Sequence, residues 1–307
     1  MKSKIVNYDC YDYDYSTYWQ RRQYENNAEH IVLRKLLNKE SGNWFIDIGG
    51  SYGRLADTYT KRYKNCIILD YSLKTLLKNQ KIIKNHFPNT SLIAADAYQM
   101  PFKKDTFDGG LMVRVLHHIQ KQDECFRKVS RIIKGKGIYI QEFPNKIHIK
   151  SRIKALFSND RSLKSEEPYQ QPTTHLEGAK GDGVHFLNYH PKYIQNLLEK
   201  NNFQIIQKLG CSYLRIPILK KVLGTKILTF LERILQIIFA KTSISPSIFL
   251  KAKSLGESKE TKYEKIENIL ACPICKSPLE FKGDTAICGK CDKQYIKKQG
   301  IWDFRIE

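Results

Sequence analysis

The sequence predicts an α/β protein, a mostly parallel sheet with helices on both faces, followed by a small β-rich module. Three observations carry that expectation. Short apolar runs at 44–48, 66–69, 91–95, 110–115 and 137–141 alternate with helix-length segments at 72–85 and 122–133, the pattern of a parallel sheet. The first run ends in Asp47 and a turn carrying Gly49, Gly50 and Gly53. Near the C-terminus, four of the eight cysteines stand in two C-x-x-C pairs.

Composition bounds the rest. The 307 residues are 41% hydrophobic and 27% charged, enough to bury a sizeable core. No run of about 18 apolar residues predicts a membrane-spanning helix. The N-terminus lacks the apolar core of a secretory signal, which needs about 7–15 residues. Paired cysteines in one short segment speak for metal in a reducing compartment, so a cytoplasmic protein is expected, with a peripheral membrane location as the variant. Lys and Arg number 52 against 31 Asp and Glu, a net charge of +21. That excess points to nucleic acid, an anionic surface, an acidic substrate or a compositional bias. Residues 146–260 alone carry 19 basic and 9 acidic side chains, or +10, while residues 261–307 carry only +2. Lys outnumbers Arg 39 to 13, which suggests a general compositional bias as much as a binding surface.

Each element has its own signal. Ala28, Ile31, Val32, Leu36 and Leu37 recur at helical spacing and predict a helix over 18–38. Residues 144–184 are polar, contain Gly178, Gly181 and Gly183, and read as a loop. Pro191 suits the first turn of a helix running to Lys200. Strands are expected at 203–209 and 247–253, and residues 255–262, LGESKETK, read as a linker.

Glycines at 49, 50 and 53 let the chain turn sharply and let a ligand approach the backbone, with a helix expected from Arg54 and Leu55. The second strand ends in Asp70, 21 residues after Gly49, a distance that suits an acid binding ribose hydroxyls. The third ends in Asp96, followed by Ala97 and Met100-Pro101-Phe102; the fourth closes in VRVLHH, residues 113–118.

This combination resembles the class I S-adenosylmethionine-dependent methyltransferases, in the group that includes the quinone-biosynthesis enzymes. Asp47, Gly49, Ser51 and Gly53 match the D-x-G-x-G-x-G turn, with Ser51 in place of the middle glycine. Leu116-His117-His118 matches the family's L-H-H, and IIKGKGIYIQE at 132–142 its fifth-strand run. The resemblance covers about residues 25–254, leaving 1–24 as an N-terminal cap region. It implies a Rossmann-like seven-stranded sheet, mostly parallel with the last strand antiparallel. It also implies an S-adenosylmethionine site formed by Asp47, Gly49, Gly50, Ser51, Gly53, Asp70, Tyr71, Asp96, Ala97 and Val113. A nicotinamide dehydrogenase would show G-x-G-x-x-G, which GGSYGR lacks.

Methyl transfer needs alignment, electrostatics and, for some acceptors, a base. His117 and His118 are the candidate catalytic residues, with the wall of the cofactor pocket as their alternative role. His185, His190, Tyr189 and Glu142 are weaker candidates, because HFLNYHP reads chiefly as the entry to the next helix. Trp19, Arg22 and Tyr24 are placed to cover the cofactor or to form an ordinary helix face.

Between the sixth and seventh strands, residues 216–245 form an amphipathic insertion. Leu223, Ile227, Leu231, Ile234 and Ile238 make one stripe, with Lys221, Thr225, Thr229, Glu232, Arg233 and Gln236 mostly opposite. Three readings stand: a lid packed on its own domain, a dimer interface, or contact with a membrane surface through 216–240.

Cys272, Cys275, Cys288 and Cys291 form two knuckles separated by 12 residues, the ligand set of a closed tetrahedral zinc site with a structural role. Gly289 is expected to ease the second knuckle, and Gly283-Asp284 to tip a hairpin between the pairs. Residues 264–304 resemble the short zinc ribbon that includes the activating subunit of several tRNA and protein methyltransferases, with ILACPIC at the start and QGI near the end. In one chain, this implies a zinc ribbon over 263–307 contacting its own methyltransferase domain. Cys10, Cys66, Cys125 and Cys211 read as ordinary thiols.

The expected function is methyl transfer to a small-molecule acceptor, lipidic or sugar-linked. An RNA methyltransferase is the alternative, although no N/D-P-P-Y/F motif follows the fourth strand. A non-catalytic cofactor-binding subunit is the third reading.

Overall fold

The computed structural model describes residues 15–158, 163, 165–170, 186–257 and 263–306. Strands β1 (Gly42–Ile48), β2 (Tyr63–Asp70), β3 (Thr90–Ala94), β4 (Phe107–Met112), β5 (Ile133–Pro144), β8 (Phe203–Cys211) and β9 (Ser247–Ser254) form the body of one sheet. Their spatial order is β3-β2-β1-β4-β5-β9-β8, and β9 is antiparallel to both neighbours while the remaining pairs are parallel. This is the predicted Rossmann-like sheet with its last strand reversed. Two short strands, β6 (Tyr169–Gln170) and β7 (Leu187–Asn188), pair separately.

Alternation along the strands puts helices on both faces. Phe45 and Cys66 face α2 (Gln23–Leu36), burying Ala28, Val32 and Leu36. Ile46, Ile48 and Ile67 face the other way, against Phe126 and Val129 of α4 (Gln122–Ile132) and Ile194 and Leu198 of α6 (Pro191–Lys200). Helix α3 (Leu73–His86) covers Ile68 and Leu92, and its first turn is capped by the Ser72 hydroxyl, which accepts from the Thr75 amide at 3.1 Å.

The helix expected over 18–38 is divided. A turn at Arg21–Arg22 separates α1 (Tyr15–Gln20) from α2. The region read as one loop, 144–184, contains a further helix, α5 (Ile149–Ser158). Its apolar residues 149, 153, 156 and 157 have helical spacing that the surrounding Lys and Arg obscured. Gly178, Gly181, Gly183 and His185 lie outside the described residues, as do Cys10 and most of the linker.

Helix α7 (Pro217–Ile238) corrects the amphipathic reading most sharply. The chain kinks at Gly224, whose φ of +66° lies in the left-handed region. Beyond the kink, the side buried against α2 carries Leu228, Glu232 and Gln236. Glu232 accepts from the Tyr24 hydroxyl and, at 2.7 Å, from the Ser212 amide. Gln236 donates to the Ala28 carbonyl at 3.1 Å, and Asn27 donates to Thr229 at 3.2 Å. The polar edge thus faces the protein, because hydrogen bonds satisfy its buried groups, and the apolar stripe faces outward. Among the described residues, no helix is long and apolar enough to cross a membrane.

The C-terminal segment continues the same sheet. Strands β10 (Glu280–Lys282), β11 (Thr285–Cys288), β12 (Lys293–Lys298) and β13 (Ile301–Asp303) form an antiparallel meander, and β13 runs parallel to β3 with Trp302 opposite Ile93. Gly283 and Asp284 tip the β10–β11 hairpin. Leu270 bridges Phe102, and the Tyr263 carbonyl accepts from the Trp44 indole at 2.8 Å. Ile269, Leu270, Tyr295, Trp302 and Phe304 join Trp44, Ile93 and Phe102 in one apolar core.

Candidate active site and candidate metal centre

Strand order reverses beside β1, between β2 on one side and β4 on the other, so a crevice opens at the carboxyl ends of these strands. The glycine turn lies there. Gly49 has φ +76°, and a Cβ on it would lie 2.2 Å from Cγ2 of Val115. That contact and the left-handed backbone both demand glycine. The Gly49 amide donates to the Leu69 carbonyl at 2.7 Å, tying the turn to β2.

Ser51, at the family's middle-glycine position, keeps the left-handed backbone, with φ +49°. Its amide donates to Oδ2 of Asp70 at 2.9 Å, and the Ser72 amide donates to Oδ1 at the same distance. Both oxygens of Asp70 are thereby oriented at the end of β2.

No α-helix starts at Arg54 and Leu55, contrary to the sequence expectation. The chain instead makes successive turns and one short 3-10 segment, Ala56–Thr58, before β2. Thr58 and Thr60 hydroxyls donate back to the carbonyls of Leu55 and Ala56, at 2.7 and 2.8 Å, local bonds that compete with a helical ladder. Asp47 lies beneath this turn, 2% exposed, accepting from the Tyr59 hydroxyl at 3.0 Å. Burial pushes its carboxyl up to about 7 despite the opposing Tyr59 bond and Arg54 charge.

The other walls come from β3 and β4. Oδ1 of Asp96 accepts from the Tyr98 amide at 2.8 Å, and burial raises its carboxyl above the usual range. Ala97 is half-buried and Val113 buried. Tyr71 lies under the Arg305 guanidinium, 5.8 Å from its ring centre. Arg305 is itself held by Asp303, Nε to Oδ1 at 2.8 Å and a second nitrogen to Oδ2 at 2.9 Å. The C-terminal segment therefore reaches the flank of the crevice, a contact across more than 200 positions that no local pattern in the sequence encodes.

His117 is buried, with its ring centre 4.0 Å from that of His118 and 4.3 Å from Phe186. Burial first, then His118 and Arg114, hold its pKa well below 6.5, so its imidazole is neutral at neutral pH. The weaker candidates have structural partners. Oε2 of Glu142 accepts from the Arg114 amide at 2.8 Å and Oε1 from the Ser247 hydroxyl. The Tyr189 hydroxyl donates to the Leu116 carbonyl at 2.7 Å. His190 caps α6, accepting from the Lys192 amide at 3.3 Å.

A buried ion network that the sequence reading missed closes the N-terminal side. Glu29 is fully buried; one oxygen meets Arg114, with Nε at 2.7 Å, and the other meets Arg54 at 2.6 Å. Burial alone would raise the Glu29 pKa, but the two guanidiniums outweigh it and hold the carboxyl low. Arg54 also donates to Asn26 at 2.7 Å and lies 3.7 Å from the centre of the Trp19 ring. Arg22 stacks on Tyr18, and Tyr24 is buried against α7. Only a charged residue after Val113 and an acid on the apolar helix α2 hinted at the network.

In the C-terminal segment, Sγ atoms of Cys272, Cys275, Cys288 and Cys291 lie within 4.8 Å of one another, with Cys275 and Cys288 at 3.5 Å. A tetrahedral zinc with Zn–S bonds of about 2.3 Å has sulfur edges of about 3.8 Å, so the four thiols fit such a centre. The left-handed residues of the knuckles are Lys276 and Asp292, φ +63° and +50°. Gly289 is not among them, so its expected special role at the turn is corrected. Cys66, Cys125 and Cys211 are isolated buried thiols.

Residues 46–141 match the family model described as a methyltransferase domain. The chain is 28% identical over 200 residues to an uncharacterised protein of Methanocaldococcus jannaschii, covering 64% of this chain and 76% of that one. It is 22% identical over 136 residues to a probable S-adenosylmethionine-dependent methyltransferase of Mycobacterium tuberculosis, covering 44% of this chain and 46% of the relative. The chain thus spans under half the length of this mycobacterial relative. A chain from a solved complex containing the Trm112 methyltransferase activator of Haloferax volcanii superposes with a TM-score of 0.53 at 11% identity, over 83% of this chain and 100% of that one.

Proposed function

We propose, for a chain that carries an S-adenosylmethionine-dependent methyltransferase domain, that the acceptor is a small molecule with a lipidic or sugar-linked part. The observation that carries the cofactor assignment is the Asp70 carboxylate, oriented by two backbone amides beside the glycine turn. In this reading Asp70 accepts from both ribose hydroxyls, and Asp96 with Ala97 flanks the adenine. Val113 and Val115 wall the crevice, and the Gly49–Gly53 turn admits the methionine end. S-adenosylmethionine supplies a methyl group already activated on a sulfonium sulfur. The chain's task is to hold the acceptor atom in line with the breaking carbon–sulfur bond and to exclude water. His117 and His118, at the end of the fourth strand, are the candidate residues for an acceptor whose proton needs a base. The Arg54–Glu29–Arg114 network holds the N-terminal helices over the turn.

The acceptor class follows from where the insertions leave the sheet. β5 and β8 end at its carboxyl edge, so the chain that forms α5 and α7 springs from the acceptor side of the crevice. Both helices carry exposed apolar side chains. Four thiolates around one zinc are proposed to hold the C-terminal ribbon, whose strand β13 extends the sheet. A tritiated-methyl transfer assay on cell extract, separated into lipid, small-molecule, RNA and protein fractions, tests the acceptor. Label in the organic or small-molecule fraction is expected. Label that ribonuclease releases would replace this reading with RNA methylation.

A further inference from the structure

We propose that α5 and α7 form a docking surface for an anionic lipid bilayer, a function separate from the choice of acceptor. On α7, residues Ile227, Phe230, Ile234, Ile237 and Ile238 are exposed in one stripe, Phe230 by 62%. On α5, Ile149, Ile153, Leu156 and Phe157 are exposed at i, i+4, i+7 and i+8, Phe157 by 88%. None of the residues of α5 is buried. Apolar surface of this extent, carried on two helices, marks an interaction face rather than scattered exposure.

The two helices rise from one corner of the molecule. The Ile149 amide donates to the Ile244 carbonyl at 2.9 Å, and Lys150 Nζ donates to the Arg215 carbonyl at 3.3 Å. The first turn of α5 is thereby tied to the chain entering and leaving α7. Inward, the hydrogen bonds of Glu232, Gln236 and Thr229 to α2 commit the polar edge of α7 to the protein and leave its apolar stripe outward.

Charge selects the occupant. Lys150, Arg152 and Lys154 on α5, and Lys221, Lys226 and Arg233 on α7, are all exposed. The sole carboxylate on either helix, Glu232, is buried against Tyr24 and Ser212. An apolar stripe with a wholly cationic rim suits acyl chains beneath anionic headgroups. Two copies pressed together through this face would set cation against cation.

The test uses the full chain and sucrose-loaded vesicles of 70% phosphatidylcholine with 30% phosphatidylglycerol, against vesicles of phosphatidylcholine alone. Partitioning onto the anionic vesicles should be at least about tenfold stronger and should weaken with salt. Phe230→Glu with Ile234→Glu, or Leu156→Glu with Phe157→Glu, should each reduce it by about tenfold or more. Lys154→Glu with Lys226→Glu should remove the preference for anionic lipid. These positions are solvent-exposed, so thermal unfolding and S-adenosylmethionine affinity should stay as in the parent and certify folded protein. Equal, weak partitioning onto both vesicle types overturns the proposal. So does a dimer seen by light scattering that the Phe230 and Ile234 changes dissociate while vesicle binding is unaltered.

Discussion

The backbone amide of Ser51 donates to Oδ2 of Asp70 at 2.9 Å, so the glycine turn itself aims the acid at the end of the neighbouring strand. A left-handed residue other than glycine costs about 1 kcal/mol or more, and here it places an amide at the candidate cofactor site. Asp70→Ala should weaken S-adenosylmethionine binding at least about tenfold, or about 1.4 kcal/mol. Ser51→Gly retains the amide and should leave affinity nearly unchanged. Calorimetry showing parent affinity in Asp70→Ala would remove the ribose assignment.

Glu29 contacts both Arg54 and Arg114. Glu29→Gln takes the counter-charge from Arg54 and leaves Arg114 only Glu142, 3.6 Å away, and should destabilise the domain by about 3–5 kcal/mol. Denaturant melts measure this directly; a loss below about 1 kcal/mol would show that water reaches the network.

Asp47 titrates near 7 in the folded chain, against an ordinary value of 3.8. Between these values the folded state holds a proton that the unfolded state releases. Its contribution is therefore fully present below about pH 4 and is lost as pH rises through about 7. Asn at this position keeps an acceptor for Tyr59 and cannot ionise, so Asp47→Asn should flatten the decline in melting temperature between about pH 4 and pH 7. Parallel pH profiles for the two proteins would refute the assignment.

One zinc per chain is expected by elemental analysis, and chelation should unfold the cysteine segment. Since Trp302 and Phe304 share the apolar core with Trp44, Ile93 and Phe102, stripping the metal should also lower the melting temperature of the methyltransferase domain. Full metal loss with an unshifted domain transition would show that the ribbon contributes no stability to the sheet.

Arg305→Ala removes the cation over Tyr71 without touching the thiols. Cofactor affinity should fall modestly, by about two- to fivefold at cation–π magnitudes, with zinc content intact. Unchanged affinity would make the Arg305 contact structural only.

The strand–helix alternation, the glycine turn, the acids at 70 and 96 and the cysteine quartet are all legible in the amino-acid order. Each is a local signal: a periodicity, a residue that only certain backbones admit, or a ligand spacing. Periodicity also revealed that α7 is amphipathic, but not which side faces inward. Tertiary structure decided that, because Tyr24, Asn27, Ala28 and Ser212 supply partners for Glu232, Thr229 and Gln236, and those partners are distant in sequence. For the same reason, only the folded chain joins Glu29 to Arg114 and Arg305 to Tyr71, and only it aligns β13 with β3. Buried polar groups must find partners wherever the fold provides them, so hydrophobic pattern alone cannot orient a helix whose polar side is satisfied inside.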